Sequence, residues 1–199
     1  TDKQIVSRTK LRGEIELRNI SFTYPEEKNE ALSNISLHIK AGERVGILGQ
    51  VGSGKSSLEK LILGLYKPSA GKILIDGVHI EQIDLTELRR NIGYIPQDVQ
   101  LLSVSVYDNV TLGMDHPSND DLLKAINLSG LNNLIGDHAD GLSMQVGEAG
   151  SRLSGGQRQT IAVARGVMAD SSILLLDEPT SAMDSNLEAH VSKGLEQLR

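Results

Sequence analysis

Apolar positions alternate from Glu14 to Tyr24, but not in one phase: Ile15 and Leu17 share one parity, and Ile20, Phe22 and Tyr24 the next. A one-residue slip turns every side chain to the other face, so the pattern predicts two short strand pieces joined by a bulge or tight bend. Pro25 to Asn29 reads as a polar loop. Alternation returns at Ile35, Leu37 and Ile39, ahead of a Lys40–Glu43 turn containing Gly42. Val45 to Leu48 is a continuous apolar run, the pattern of a strand buried on both faces, and it feeds a glycine-rich loop. Leu58, Leu61, Ile62 and Leu65 follow at helical spacing, predicting an amphipathic helix. Lys72 to Ile75 predicts a strand entering a tight Asp76-Gly77 turn, and Ile92 to Pro96 another short strand. Ser118 with Asp121 three residues on marks a helix start, with Leu122, Leu123 and Ile126 behind it. Residues from about 98 to 170 read as mostly helix and loop. Ile173 to Leu176 is a second buried-strand pattern, ending in Asp177-Glu178-Pro179. Leu187, Val191, Leu195 and Leu198 form a last amphipathic stripe. Strands alternating with helices indicate an α/β fold with a mainly parallel sheet, antiparallel strands before it and a helical insertion within it.

Composition narrows the classes. The chain has 199 residues, 39% hydrophobic and 23% charged, which suits one core or two small lobes and excludes a disordered tail or a collagen-like repeat. A net charge of −6 without a block of like charges argues against a broad nucleic-acid surface, although a local basic groove stays open. With no cysteine, disulfides, thiolate metal sites and cysteine nucleophiles are excluded together. The longest aliphatic run, Ile173 to Leu176, is far short of a membrane span, and Thr1-Asp2-Lys3 does not open a signal peptide. A first residue of Thr rather than Met reads as a soluble domain cut from something larger.

Gly49-Gln50-Val51-Gly52-Ser53-Gly54-Lys55-Ser56 matches G-x-x-x-x-G-K-[ST] between a predicted strand and a predicted helix. Glycines let several N–H groups converge on phosphate oxygens at a helix start whose dipole favours anions. Lys55 supplies a cation to the β- and γ-phosphates, and the Ser56 hydroxyl is placed to ligate Mg²⁺. A Gly/Ser-rich turn with an incidental lysine would produce the bare pattern in roughly 1% of chains of this length, and the strand–loop–helix context lowers that further. Asp177, behind four aliphatic residues, reads as an acid at a strand end that orients Mg²⁺. Glu178, one residue on, points elsewhere and can reach water attacking the γ-phosphate. Taken alone, the two acids read equally well as a charge pair ahead of Pro179.

Leu153-Ser154-Gly155-Gly156-Gln157, ahead of Asp177, completes an ordered set of motifs. From about Glu14 to its end the chain resembles the nucleotide-binding domain of ABC transporters. The resemblance implies a P-loop NTPase core with an N-terminal antiparallel β subdomain and an inserted helical subdomain at about 98–170. Residues 1–13 would be a linker following a membrane domain, and 14–199 the ATPase domain, truncated at its C-terminus. ATP and Mg²⁺ are the implied cofactors, with Gly49 through Ser57 (Ser57 included) as the cradle and Tyr24 stacking on adenine. Gln97, in Tyr94-Ile95-Pro96-Gln97-Asp98, would meet Mg²⁺ and the attacking water, so that Ser56, Gln97 and Asp177 form the metal set and Glu178, Gln97 and Lys55 the catalytic one. Ser154, Gly155, Gly156 and Gln157 would act in trans, as an anion-binding helix start completing the site of a second nucleotide-binding domain in an ATP-bound, head-to-tail dimer. Ser181-Ala182-Met183-Asp184 matches the D-loop, with Met183 where Leu is usual. Read singly, Tyr24 is a core residue in phase with Phe22, Gln97 an ordinary loop residue, and Ser154-Gly155-Gly156 a flexible turn.

Val146-Gly147-Glu148-Ala149-Gly150, Asp84 to Arg89, and Asp177 to Asp184 resemble exporters, with type I protein secretion ATPases as the nearest branch. The implied setting is the cytoplasmic face of a membrane, with a transmembrane domain as partner and no nucleic acid. The family's switch histidine has no counterpart: His38, His79, His116, His138 and His190 all stand at other positions, so the chain is expected to bind Mg-ATP and turn it over slowly. Alternatives are a soluble translation-type or DNA-repair ATPase of the same superfamily, or an ATP-binding module with little turnover. The DNA-repair kind is discounted because no sustained heptads lie between the motifs.

Overall fold

The computed structural model describes residues 10–198. Most of the expected linker, residues 1–9, and the last residue lie outside them. The chain divides into two compact units, one ending at Ile92 and one beginning at Gly93.

The first unit is organised by a four-stranded antiparallel sheet in the order β2-β1-β3-β4, from β1 (Ile15–Phe22), β2 (Leu32–Ile39), β3 (Ala70–Ile75) and β4 (Val78–His79). The phase slip in β1 is a bulge. Its register to β2 shifts between Leu17 and Ile20, and Asn19 takes φ 50°. The bulge lets Leu17 and Ile20, of opposite parity, both be buried. Asp76 and Gly77, at φ 50° and 76°, turn β3 into β4 with the two positive φ angles of a type I′ turn. The Asp76 carboxylate also accepts the backbone N–H groups of Arg12 at 2.6 Å and Glu14 at 3.0 Å, tying the incoming chain to the turn.

Two expectations fail in this unit. Helix α1 (Lys55–Ile62) buries Leu58, Leu61 and Ile62, but Leu65 is 53% exposed. Gly64, at φ 64°, ends the helix: its N–H reaches the Leu61 carbonyl, and the Leu65 N–H reaches that of Lys60. Val45 to Leu48 is not a buried strand. It lies in no ladder of the described sheets, and Leu48 is 97% exposed. Three aliphatic residues around Gly46 state a preference for burial, but a strand also needs a neighbour for its N–H and C=O groups, and the local antiparallel sheet does not take this segment in.

The second unit is built around α6 (Gly155–Met168), which is apolar on two faces. Ile161, Ala164 and Met168 pack into the helical insertion, beside Val106 and Val110 of α3 (Val106–Val110), Ala125 of α4 (Asn119–Ser129) and Leu131 of α5 (Leu131–Gly136). Ala162 and Val163 face Ile95 of β5 (Ile92–Ile95) and Val191 of α7 (Ser185–Gln197). A helix buried on both sides is a central one. β5 pairs with β6 (Ile173–Leu176) in a parallel two-stranded sheet. In β6 only Ile173 is fully buried, and Leu176 is 39% exposed. In the first unit, α2 (Leu85–Arg90) is capped by Asp84. The expected Ser118 cap of α4 is present, its hydroxyl accepting the Asp121 N–H.

Candidate functional site

In the first unit the loop Gly49 to Ser53 is exposed, and Gly54, at φ 90°, delivers it into α1. That helix starts without a side-chain cap and without an acid in its first turn. Unsatisfied N–H groups at such a start carry the positive end of the helix dipole. The Lys55 ammonium folds back over its own loop, donating to the carbonyls of Gly49 at 2.8 Å and Gln50 at 3.1 Å. Gly54 has a second constraint, since a Cβ there would meet the Ala31 carbonyl and lie 2.7 Å from Leu32 Cδ2. Ser57 is buried, and its hydroxyl lies 3.0 Å from the Tyr24 hydroxyl. Tyr24 is half-buried. Its ring meets Phe22 edge-on at 4.8 Å and Tyr66 at 5.2 Å, with the Lys60 ammonium 5.5 Å from its centroid. Tyr24 therefore belongs to a small aromatic cluster beside α1, with its hydroxyl against Ser57.

In the second unit, β6 delivers Asp177, half-buried, whose N–H is held by the Ile95 carbonyl at 2.9 Å. Glu178 is exposed and takes φ 46°, a left-handed backbone that costs a residue with a Cβ about 1–3 kcal/mol. Gln97, distant in sequence, donates its amide to the Glu178 carboxylate at 2.8 Å. Two site residues joined only by resemblance are thus hydrogen-bonded.

Ser154 to Gln157 form the start of α6, closed by a capping box. The Ser154 hydroxyl oxygen accepts the Gln157 N–H at 3.2 Å, and the Gln157 side chain accepts the Ser154 N–H at 2.8 Å. The hydroxyl keeps its hydrogen for another acceptor, and the first turn holds no acid. This helix start opens onto a cleft of about 1000 Å³ shared with Asp137, His138, Arg152, Asp184 and His190.

Sequence reasoning missed two residues of α6. Gln159 is 2% exposed and hydrogen-bonded to the Glu178–Ala182 loop. The guanidinium of Arg165 donates to the backbone carbonyl of Asn109 at 2.8 Å, to its side-chain oxygen at 3.0 Å and to the Gln100 carbonyl at 3.4 Å, and burial lowers its pKa from the usual arginine value. The available signal was a polar side chain at a buried phase of a helix. The histidines find structural places: His38 with Glu14, His79 and His138 each accepting a backbone N–H two residues on, and His190 donating to the Asn127 carbonyl at 2.6 Å, while His116 is exposed.

Among the described residues no helix is long and apolar enough to cross a membrane, and no cluster of three or more His, Cys, Asp or Glu side chains is present. A magnesium ion completed by phosphate oxygens needs only one or two carboxylates, and Asp177, half-buried at the end of β6, is of that chemistry. The helix start at Gly54, with its lysine, fits a polyphosphate.

The ABC transporter family matches residues 32–181. An ATP-dependent lipid A-core flippase of Pseudomonas fluorescens is 40% identical over 198 residues, 99% of this chain and 33% of that protein. A β-(1→2)glucan export ATP-binding/permease protein of Rhizobium etli is 40% identical over 189 residues, 95% of this chain and 32% of that protein. The chain thus spans about a third of the length of these relatives. A solved bacterial Atm1-family ABC exporter with ATP bound superposes with a TM-score of 0.89 at 31% identity, covering 98% of this chain and 35% of that one. Motifs, fold and relatives converge: the chain belongs to the ABC transporter family, as an ATPase domain.

Proposed function

We propose that this domain is the ATP-driven motor of an exporter, pairing head to tail with a second nucleotide-binding domain at the cytoplasmic face of a membrane and driving a transmembrane domain. The observation that carries the reading is the start of α1, uncapped, free of acids in its first turn and entered through a left-handed glycine beside Lys55. Its N–H groups and the lysine would hold the β- and γ-phosphates, Tyr24 the adenine, and Ser56, Gln97 and Asp177 the magnesium ion, which supplies charge neutralisation when bound. Glu178 would take the proton of the attacking water, with Gln97 holding its carboxylate in place. Ser154 to Gln157 would present a second anion-binding helix start to nucleotide held by the partner domain. Catalysis on this reading is mainly electrostatic positioning.

The test is phosphate release by the full-length protein with Mg-ATP. Lys55→Ala is expected to abolish turnover, and Glu178→Gln to lower it on the order of 10²-fold or more while nucleotide still binds. Light scattering of the Glu178→Gln protein with Mg-ATP is expected to show the closed nucleotide-binding pair. Turnover by Lys55→Ala at the wild-type rate would overturn the reading.

The finer branch, a type I protein secretion ATPase, rests on Val146–Gly150, Asp84–Arg89 and Asp177–Asp184 as they stand in the sequence. The relatives above are named for lipid A core and glucan, so cargo is the discriminant. Stimulation of turnover by a secreted polypeptide, and not by lipid A core or a β-glucan, supports the branch; the reverse pattern removes it.

A further inference from the structure

Gln159 has no part in the site as the motifs define it, yet its side chain is among the most fully engaged in the second unit. It is 2% exposed on α6, where the burial pattern of neighbouring Ile161, Ala162 and Val163 would accept an apolar residue. Its Nε2 donates to the Glu178 carbonyl at 3.0 Å and to Ser181 Oγ at 3.0 Å, and its Oε1 accepts the Ala182 N–H at 2.8 Å. Both amide hydrogens and the oxygen are therefore used, all on one five-residue loop. An unpaired amide at this depth would be costly, and a fully paired one fixes geometry.

What it fixes includes a non-glycine residue with a left-handed backbone. Glu178 sits at φ 46°, and that left-handed turn aims its carboxylate toward Gln97, 2.8 Å away. The same loop returns over the start of α6. A Cβ on Gly156 would lie 2.9 Å from the Ala182 carbonyl oxygen, and one on Gly155 would lie 3.3 Å from Ala182 Cβ. Ala182 is thus seated on the Ser154–Gln157 turn from one side and held by Gln159 from the other.

We propose that Gln159 is a positioning residue that fastens the Glu178 backbone and residues 181–182 to the first turns of α6, so that a displacement of the Ser154–Gln157 helix start is passed to the carboxylate. The inference rests on the reading of Glu178 as the base. In the head-to-tail arrangement, that helix start serves the partner's nucleotide and Glu178 serves the chain's own, so Gln159 ties the two sites together through one side chain.

The test is a pair of double-mutant cycles in the full-length protein, measuring kcat and KM for Mg-ATP with Gln159→Leu and Ser181→Ala, each alone and combined with Glu178→Gln. Gln159→Leu keeps the volume and removes all three bonds; it is expected to lower kcat at least tenfold with KM within twofold. Ser181→Ala removes one bond and is expected to lower kcat two- to fourfold. Neither is expected to lower the residual turnover of Glu178→Gln, because the group they act through is already gone. Unchanged kcat, or equal falls in both backgrounds, would show a packing residue only and overturn the proposal. Should Gln159→Leu lose its cooperative melting transition, the Ser181→Ala cycle decides alone. Wild-type turnover by Glu178→Gln itself would remove the role of Glu178 and this inference with it, whereas an inactive Glu178→Gln beside a normal Gln159→Leu removes this inference alone.

Discussion

The starts of α1 and α6 both carry glycine and no acid, and they are built differently. At the start of α1 the glycines serve a left-handed backbone, Gly52 and Gly54 having φ of 80° and 90°, with Gly54 also packed against the Ala31 carbonyl, and no side chain caps the helix. At the start of α6 the glycines are there for space, because the Ala182 backbone passes over Gly156, and a serine–glutamine capping box closes the end. The first start has no side-chain cap; the second commits part of its polar capacity to itself and holds its shape.

The comparison can be broken by substitution. The largest effect is expected from Gly54→Ala, where backbone strain of about 1–3 kcal/mol adds to the collision with the Ala31 carbonyl. Loss of ATP binding together with a lowered melting temperature would be the result, and an unperturbed protein would refute the role of the left-handed turn. Gly156→Ala needs no unusual φ, so its cost, about 1–3 kcal/mol of overpacking, should fall on stability and on the 178–182 loop, while ATP binding at Lys55 is retained. Equilibrium binding of a fluorescent ATP analogue beside denaturant unfolding separates the two glycines. Ser154→Ala removes the box at α6 and should destabilise by about 1 kcal/mol, an effect without an equivalent at α1, which has no side-chain cap to lose. The smallest effect concerns a third helix start. The Asp84 carboxylate accepts the N–H groups of Glu87 and Thr86, which hold its pKa below the usual carboxylate range. Its contribution is therefore complete above the unfolded value and is lost as pH falls through the lower folded value. Asp84→Asn, which still caps, should leave neutral stability nearly unchanged and flatten the acid limb below the ordinary aspartate pKa of about 3.9. An unaltered acid limb by circular dichroism would count against that cap.

Much of this was legible from residues in order. The phase slip in β1, the Asp76-Gly77 turn, the Ser118 cap and the loop Gly49–Ser56 are local: each depends on a few neighbouring residues whose φ preferences or side-chain bonds are set by their own chemistry. The core reading of Tyr24 was legible too, since a tyrosine can pack its ring and still present its hydroxyl, as this one does to Ser57. Where expectation failed, the missing information was distant. Leu65 continued an apolar stripe, but Gly64 ended the helix first; Val45–Leu48 had the composition of a buried strand without a ladder to join.

Sequence by itself therefore determined the family, the order of the motifs and the chemistry each can supply, because residue type and short spacing specify donors, acceptors and charges. Tertiary structure alone decided which of them touch. The Gln97–Glu178 bond spans 81 positions, the Arg165–Asn109 bonds 56, and the Gln159 bonds to the Glu178–Ala182 loop 19 to 23. Such contacts exist only after packing has paid the entropy of closing those loops, and no local preference encodes them.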